Sequence, residues 1–274
     1  MEIELAFITY NRLYYTRKAL ESILVDESVR FGLTIWDNGS TDGTVEYLKR
    51  EVSDGRIRDV VFSEENVGQT AAVNAIWGRS KANLLGKLDN DCIVSPGWTR
   101  KLSQAHRDIG KLGVVACWHL GREDFDEQRA GAKIQQFGGH RVLRHPWTCG
   151  TGVLVKREVF ERMGPIREQA MTRYWIDMAR AGYVNGWYYP LVCQEHMDDP
   201  KSEHCVTRDE QEIERMREGT FSLKYHGIRN MEDRWRLRER VLSDILDAPW
   251  EVKYYIGWRG KMRRLKDNIR RRTG

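Results

Sequence analysis

The chain has 274 residues, 41% of them hydrophobic and 31% charged, which suits a globular protein built on one large α/β domain with appendages. No stretch approaches the roughly 18 apolar residues that a membrane-spanning helix needs, so integral membrane proteins are excluded. Five widely spaced cysteines without a CxxC pair argue against a disulfide framework, and the acidic start Met1-Glu2-Ile3-Glu4 is unlike a secretory leader, so a reduced, cytoplasmic protein is expected. In chain order, Ile3 to Thr9 reads as a buried strand, followed by a helix from about Tyr15 to Val25. Leu33 to Trp36 is a second strand that runs into the turn formers and helix caps of Asp37-Asn38-Gly39-Ser40-Thr41-Asp42-Gly43, with a helix through Val45, Leu48 and Lys49 beyond. A strand at Asp59 to Phe62, a helix at Val67 to Ser80, a strand at Leu84 to Leu88 and a helix beginning at Pro96 continue the rhythm. This alternation predicts a mostly parallel sheet flanked by helices.

The second half is less regular. Gly113 to Trp118 and Thr151 to Val155 are strand-like, Arg157 to Met163 and Tyr174 to Ala181 helical, and Asn185 to Cys193 is rich in aromatic and β-branched residues. Leu237, Val241, Leu242, Ile245 and Leu246 form one face of a helix that Pro249 ends. Net charge is +5, yet residues 251–274 hold nine Lys or Arg against two acids, a balance of +7 that leaves the rest at −2. Tyr255, Trp258, Met262, Leu265 and Ile269 recur at spacings of three and four, so this tail is expected to be a basic amphipathic helix. It either packs on the body or binds an anionic partner.

Asp89-Asn90-Asp91 follows an apolar strand, at the sheet edge where open α/β folds place their ligands. Two carboxylates one residue apart suit a hard divalent cation that also takes phosphate oxygens, although the same residues make an ordinary capped turn. Cys193, His196, His204 and Cys205 are a second, irregularly spaced set with zinc-binding chemistry.

The order of motifs decides between these readings. Ile8-Thr9-Tyr10-Asn11-Arg12, then Trp36 to Thr44, then Asn66-Val67-Gly68 running into Ala71, Ala72 and Asn74, then Asp89-Asn90-Asp91 resembles the glycosyltransferase family 2 enzymes of the GT-A fold over about residues 3 to 200. The resemblance implies a Rossmann-like α/β fold and a nucleotide-sugar donor, with uracil as the base. It divides the chain into a catalytic domain at 1–205, with a donor half at 1–112 and an acceptor half at 113–205, and a helical extension at 206–274. It implies that Thr9, Tyr10 and Arg12 surround the nucleoside, that Asp37 accepts a hydrogen bond from the base, and that Gly68 and Asn74 shape the wall beside ribose and phosphate. Asp89, next to Asn90, would face the ribose or diphosphate, and Asp89, Asp91 and His196 would hold Mn2+ or Mg2+. His196 follows Gly186-Trp187-Tyr188-Tyr189-Pro190, as a late metal-binding histidine does in many GT-A enzymes.

The chain departs from the family where an acidic pair normally stands, since those positions are Ala170 and Met171. Asp177 is expected to substitute as the general base, with Glu168 in reserve, for an inverting single displacement, the alternative being a surface helix carboxylate paired with Arg173 or Arg180. Trp147, Trp175 and Trp187 are candidates to stack on a sugar or base, although in a chain with ten tryptophans most are expected in the core or at interfaces. Two acceptor classes fit: a hydroxymethylated base in DNA, gripped by the cationic tail, or a glycan or glycolipid met at an anionic membrane surface. A nucleotidyltransferase is disfavoured because Thr9-Tyr10-Asn11-Arg12 lacks a glycine-rich, lysine-bearing signature, and an inactive binding module is the remaining rival.

Overall fold

The structure, a computed structural model, describes residues 2–51, 55–167, 171–217 and 220–263. The first half alternates strand and helix: β1 (Ile3–Thr9), α1 (Leu13–Leu24), β2 (Phe31–Asp37), α2 (Thr44–Glu51), β3 (Ile57–Phe62), α3 (Gln69–Arg79), β4 (Leu84–Asp89), the short β5 (Cys92–Val94) and α4 (Trp98–Asp108). The second half contains β6 (Leu112–Ala116), α5 (Glu127–Ala130), β7 (Ile134–Phe137), β8 (His140–Arg144), β9 (Val153–Lys156), α6 (Arg157–Met163), α7 (Thr172–Arg180), β10 (Val184–Tyr189) and β11 (Gln194–His196). Helices α8 (Glu210–Met216), α9 (Phe221–His226) and α10 (Met231–Asp247) follow.

Among the described residues the main sheet runs β3-β2-β1-β4-β9-β6-β10-β8-β7. Strands β3, β2, β1 and β4 are mutually parallel, as are β6 and β10, while β9 lies antiparallel between the two groups. The register sets Thr9 beside Asp37 and Ile8 beside Asp89, so the ends of three strands open at one edge. Every residue of β1 is buried, because alternate side chains enter different cores on the two faces of the sheet. Leu5 and Phe7 join Leu20, Ile35 and Leu102 on one face; Ala6 and Ile8 join Val73, Trp77 and Trp175 on the other.

The expected order of elements in the first half is found, with α4 starting at Trp98 because Gly97 before it is left-handed (φ 79°). The β7–β8 hairpin was not foreseen, since its sequence, Ile-Gln-Gln-Phe and His-Arg-Val-Leu-Arg, carries little apolar alternation. It is held instead by pairing along the edge of β10. The pair β5–β11 was also missed, because three-residue strands carry no period.

The C-terminal segments pack into the body. Ile245 and Leu246 of α10 lie in the same core as Trp175 and Trp187. In the tail, Tyr255 is buried while Trp258 is 70% exposed, so the expected single apolar face is not formed over the helical residues 257–263. Leu265 and Ile269 lie outside the described residues.

Buried Lys133 caps the end of α10 by donating to the carbonyls of Ile245 and Ala248. Burial, with the charge of Arg263, lowers its pKa from 10.5 to about 8 against the pull of Asp247. Below about 8 the amine is charged in both folded and unfolded chains; between about 8 and 10.5 only the unfolded chain holds the proton. Its contribution to stability therefore rises with pH across that window, and denaturation midpoints of the wild type measured against Lys133→Met should show the difference growing in favour of the wild type there.

Candidate donor and metal site

A cavity of about 430 Å³ opens at the carboxyl edge of β1 and β4. Thr9, Tyr10, Arg12, Asn38, Gly68, Asp89, Asn90, Asp91 and His196 line it, joined by Thr220, Ser222 and Lys224 from the α9 segment. The loop after β1 carries the cavity's most strained backbone, with Asn11 and Arg12 both left-handed at φ 53° and 64°. Hydrogen bonds hold it there: the Asn11 amide donates to Ser40 Oγ at 2.6 Å, and Asn11 Oδ1 accepts from the Thr41 amide at 2.8 Å. Asn90 Nδ2 donates to Thr9 Oγ1 and to Thr16 Oγ1, both at 3.1 Å, fastening the acidic turn to the same loop. Gly68 precedes α3 at φ 81° with its amide donating to Asn66 Oδ1 at 2.9 Å, and Gly68 and Gln69 line the cavity, so the positive dipole end of the helix lies beside it.

Asp91 is the electrostatic centre. Its Oδ2 lies 3.0 Å from Arg12 Nη1 and 3.6 Å from His196 Nε2, the latter brought across by the pairing of β11 with β5. Burial opposes its charge, but His196 and then Arg12 hold the carboxyl well below the usual carboxylate range. Burial likewise works against charge on His196, yet Asp91, helped by Asp198 and Asp199, pushes its pKa up to about 9. Ligand atoms of Asp91, Cys92 and His196 all lie within 4.8 Å of one another. A carboxylate and an imidazole at that spacing fit a divalent ion such as Mn2+, with the buried Cys92 thiol behind them.

Residues 5–164 match the family described as Glycosyl transferase family 2. The chain belongs to that family. It is 24% identical over 187 residues to an uncharacterized glycosyltransferase of Nostoc sp., an alignment covering 65% of this chain. It spans 57% of that relative's length. The mannosyltransferase PcManGT from Pyrobaculum calidifontis, solved with GDP-Man and Mn2+, shares the fold at TM-score 0.61 and 18% identity, covering 92% of this chain and 72% of that one. TarS of S. aureus, solved with UDP-GlcNAc, does so at TM-score 0.56 and 12% identity, covering 93% and 84%. The fold is that of GT-A glycosyltransferases.

Several residues of this family 2 chain sit where the sequence pattern did not put them. Asp37 is fully buried and its carboxylate accepts from the Gly39 and Ser40 amides and the Ser40 hydroxyl, so it shapes the loop and leaves the cavity wall to Asn38. Asn74 clamps Ile166 through both backbone groups, at 2.8 and 3.0 Å, and does not line the cavity. Arg12 lines it but directs its guanidinium to Asp91 and Asp198. Asp89 is not within the metal-ligand cluster of the described residues; fully buried Lys87 pairs with it and also donates to the Gly150 carbonyl at 2.7 Å. Asp177 stands half exposed on α7, paired with Arg173 at 2.9 Å, because the two are one helical turn apart. It lines no part of the cavity, so the general-base role expected for it finds no support in this geometry. Glu168 lies outside the described residues.

Trp175 and Trp187 are fully buried core residues, and the half-buried Trp147 packs edge-on against Trp187 and donates to Asp244, so none is free to stack on a sugar. The zinc quartet does not assemble: His204 pairs with Glu195 and the Cys205 thiol faces Thr207, while His196 faces Asp91.

Sequence reasoning missed Lys87, Asp198 and Arg234. A lysine within an apolar strand two residues before Asp89 was a legible signal for the first; the other two are united only by folding. Asp198 joins Arg12 at 3.2 Å to Arg234 of α10 at 3.5 Å, all nearly sealed from solvent. Replacing Asp198 by Ala should leave buried Arg234 without its carboxylate and Arg12 with Asp91 alone, lowering folding stability in denaturant melts by about 3 kcal/mol, beyond a surface ion pair.

Proposed function

We propose that this chain transfers a glycosyl group from a nucleoside diphosphate sugar, with a UDP-sugar as donor, to an acceptor hydroxyl with inversion. The observation that carries the reading is the convergence, in one cavity, of the loop after β1, the amino end of α3 and the Asp91–His196 pair. Tyr10 and Asn38 face the nucleoside. The amino end of α3, with its positive dipole, lies on the side where a phosphate would sit. Lys87 and Thr151, whose hydroxyl accepts from the Asp89 amide at 2.9 Å, fix Asp89 beside the ribose. Asp91 and His196 would hold a divalent ion, which would supply the positive charge that a departing diphosphate needs. Bound GDP-Man with Mn2+ in PcManGT, and bound UDP-GlcNAc in TarS, support this class of donor.

Release of UDP from a panel of UDP-sugars should require Mn2+ or Mg2+ and stop with a chelator, and Asp91→Asn should lower it by about 100-fold or more. Asp177→Ala should fall well short of the about 10²–10⁴-fold that loss of a general base costs. Release from GDP-sugars alone would move the donor assignment to guanosine.

For the acceptor we propose a hydroxymethylated base in DNA. Trp258 is exposed with Arg259 stacked 5.5 Å from its ring, beside Lys261, an arrangement able to hold phosphates and stack on bases. The same exposed Trp258 and Met262 also suit the headgroup region of an anionic membrane, which would place the acceptor among glycans or glycolipids. Titrated across salt, duplex DNA should bind with a slope that shrinks when residues 257–274 are removed, whereas binding to anionic vesicles alone would decide for the membrane-associated acceptor.

A further inference from the structure

Arg12 is placed with more care than a surface cation needs. It sits in a left-handed backbone conformation, directly after a second left-handed residue, and the Asn11, Ser40, Thr41 and Asn90 hydrogen bonds fix that loop from three sides. The guanidinium lies 4.4 Å from the centre of the Tyr15 ring, which limits its swing. Its Nη1 takes Asp91 Oδ2 at 3.0 Å, the same oxygen that His196 Nε2 approaches at 3.6 Å, and its Nη2 faces Asp198 at 3.2 Å. Nε is buried without a hydrogen bond among the described residues, so the group has donor capacity beyond its two ion pairs. A divalent ion taken by Asp91 and His196 would therefore meet a fixed positive charge already seated on its principal ligand.

We propose that Arg12 is the counter-cation of Asp91 in the metal-free protein, exchanged for the divalent ion on loading, and that the Nη1 so released turns within the cavity to the diphosphate. The idea rests on the donor and metal reading above and deepens it. Asp198 is the pivot. It keeps the guanidinium in place through the exchange, and it is itself fixed by Arg234 of α10 and by the Thr207 hydroxyl at 3.0 Å. The exchange makes metal and nucleotide binding mutually dependent: the ion frees the group that grips the phosphates, and the phosphates draw that group away from the ion's ligand. A lone divalent ion, which must displace Arg12 with no diphosphate to receive it, binds weakly.

The test is Mn2+ binding followed by electron paramagnetic resonance, without nucleotide and with UDP, in wild type, Arg12→Gln, Arg12→Lys and Asp91→Asn. Arg12→Gln should bind Mn2+ alone about 10-fold or more tightly than wild type, and UDP should strengthen Mn2+ binding by correspondingly less than it does in wild type. Arg12→Lys keeps the charge and should stay near the wild-type affinity for Mn2+ alone. Unchanged or weaker Mn2+ binding in Arg12→Gln, with Asp91→Asn still abolishing it, would overturn the exchange while leaving the metal site standing. Mn2+ binding that ignores Asp91→Asn would instead remove the donor and metal reading itself. Should Arg12→Gln fail to fold, the wild type answers alone: the Arg12 Nε–H resonance, assigned through Arg12→Lys, should shift on adding Mg2+ with UDP, and an unmoved resonance would overturn the exchange.

Discussion

Carboxylates withdrawn from water govern this molecule. Asp91, Asp198 and Asp199 sit along the loop edge with side-chain exposures of 13%, 2% and 12%, and each is set against a cation, as carboxylates taken out of water require. The cations come from every part of the chain: Arg12 from the loop after β1, His196 from β11, and Arg234 and Arg238 from α10. Positioning these charges requires the strained loop, the β5–β11 pair and the C-terminal helix at once, so the site and the fold are one construction.

The C-terminal helices consequently do more than cover the sheet. α10 anchors itself with Ile245 and Leu246 in the apolar core and then uses two buried arginines to hold the loop that follows His196. Arg238 takes both oxygens of Asp199 at 2.9 Å and reaches Asp124 as well, tying that loop to the segment after β6. The α9 segment adds Thr220, Ser222 and Lys224 to the cavity wall. Loss of α10 would take Arg234 from Asp198 and Arg238 from Asp199, leaving Arg12 as the cation beside Asp198.

Lys87 shows the same economy in the sheet. A fully buried ammonium in an apolar strand is costly by itself, but it joins Asp89 in the cavity wall to the Gly150 carbonyl ahead of β9. The Gly150-Thr151-Gly152 turn is packed to match: Gly152 is left-handed at φ 59°, and a side chain there would strike Gln194. Asp89 and the neighbouring turn are thereby held to one another.

The alternation of apolar runs with helix caps was enough to order the elements of the first half, because each strand and helix is specified by contiguous residues with their own period. The motifs at the strand ends were legible for the same reason, and they led to the family and to the cavity lined by Thr9, Tyr10, Asn90 and Asp91. Partnerships between distant residues carry no such local signal. Arg12 and Asp91 are 79 positions apart, and nothing near either one says that they will meet. Asp37 could face a base or close its own turn; only the packed loop chose the turn. Tertiary structure also assigned the tryptophans to the core, turned Asp177 to solvent and paired β5 with β11, because burial and charge pairing are settled by what lies across space and not by what lies next in the chain.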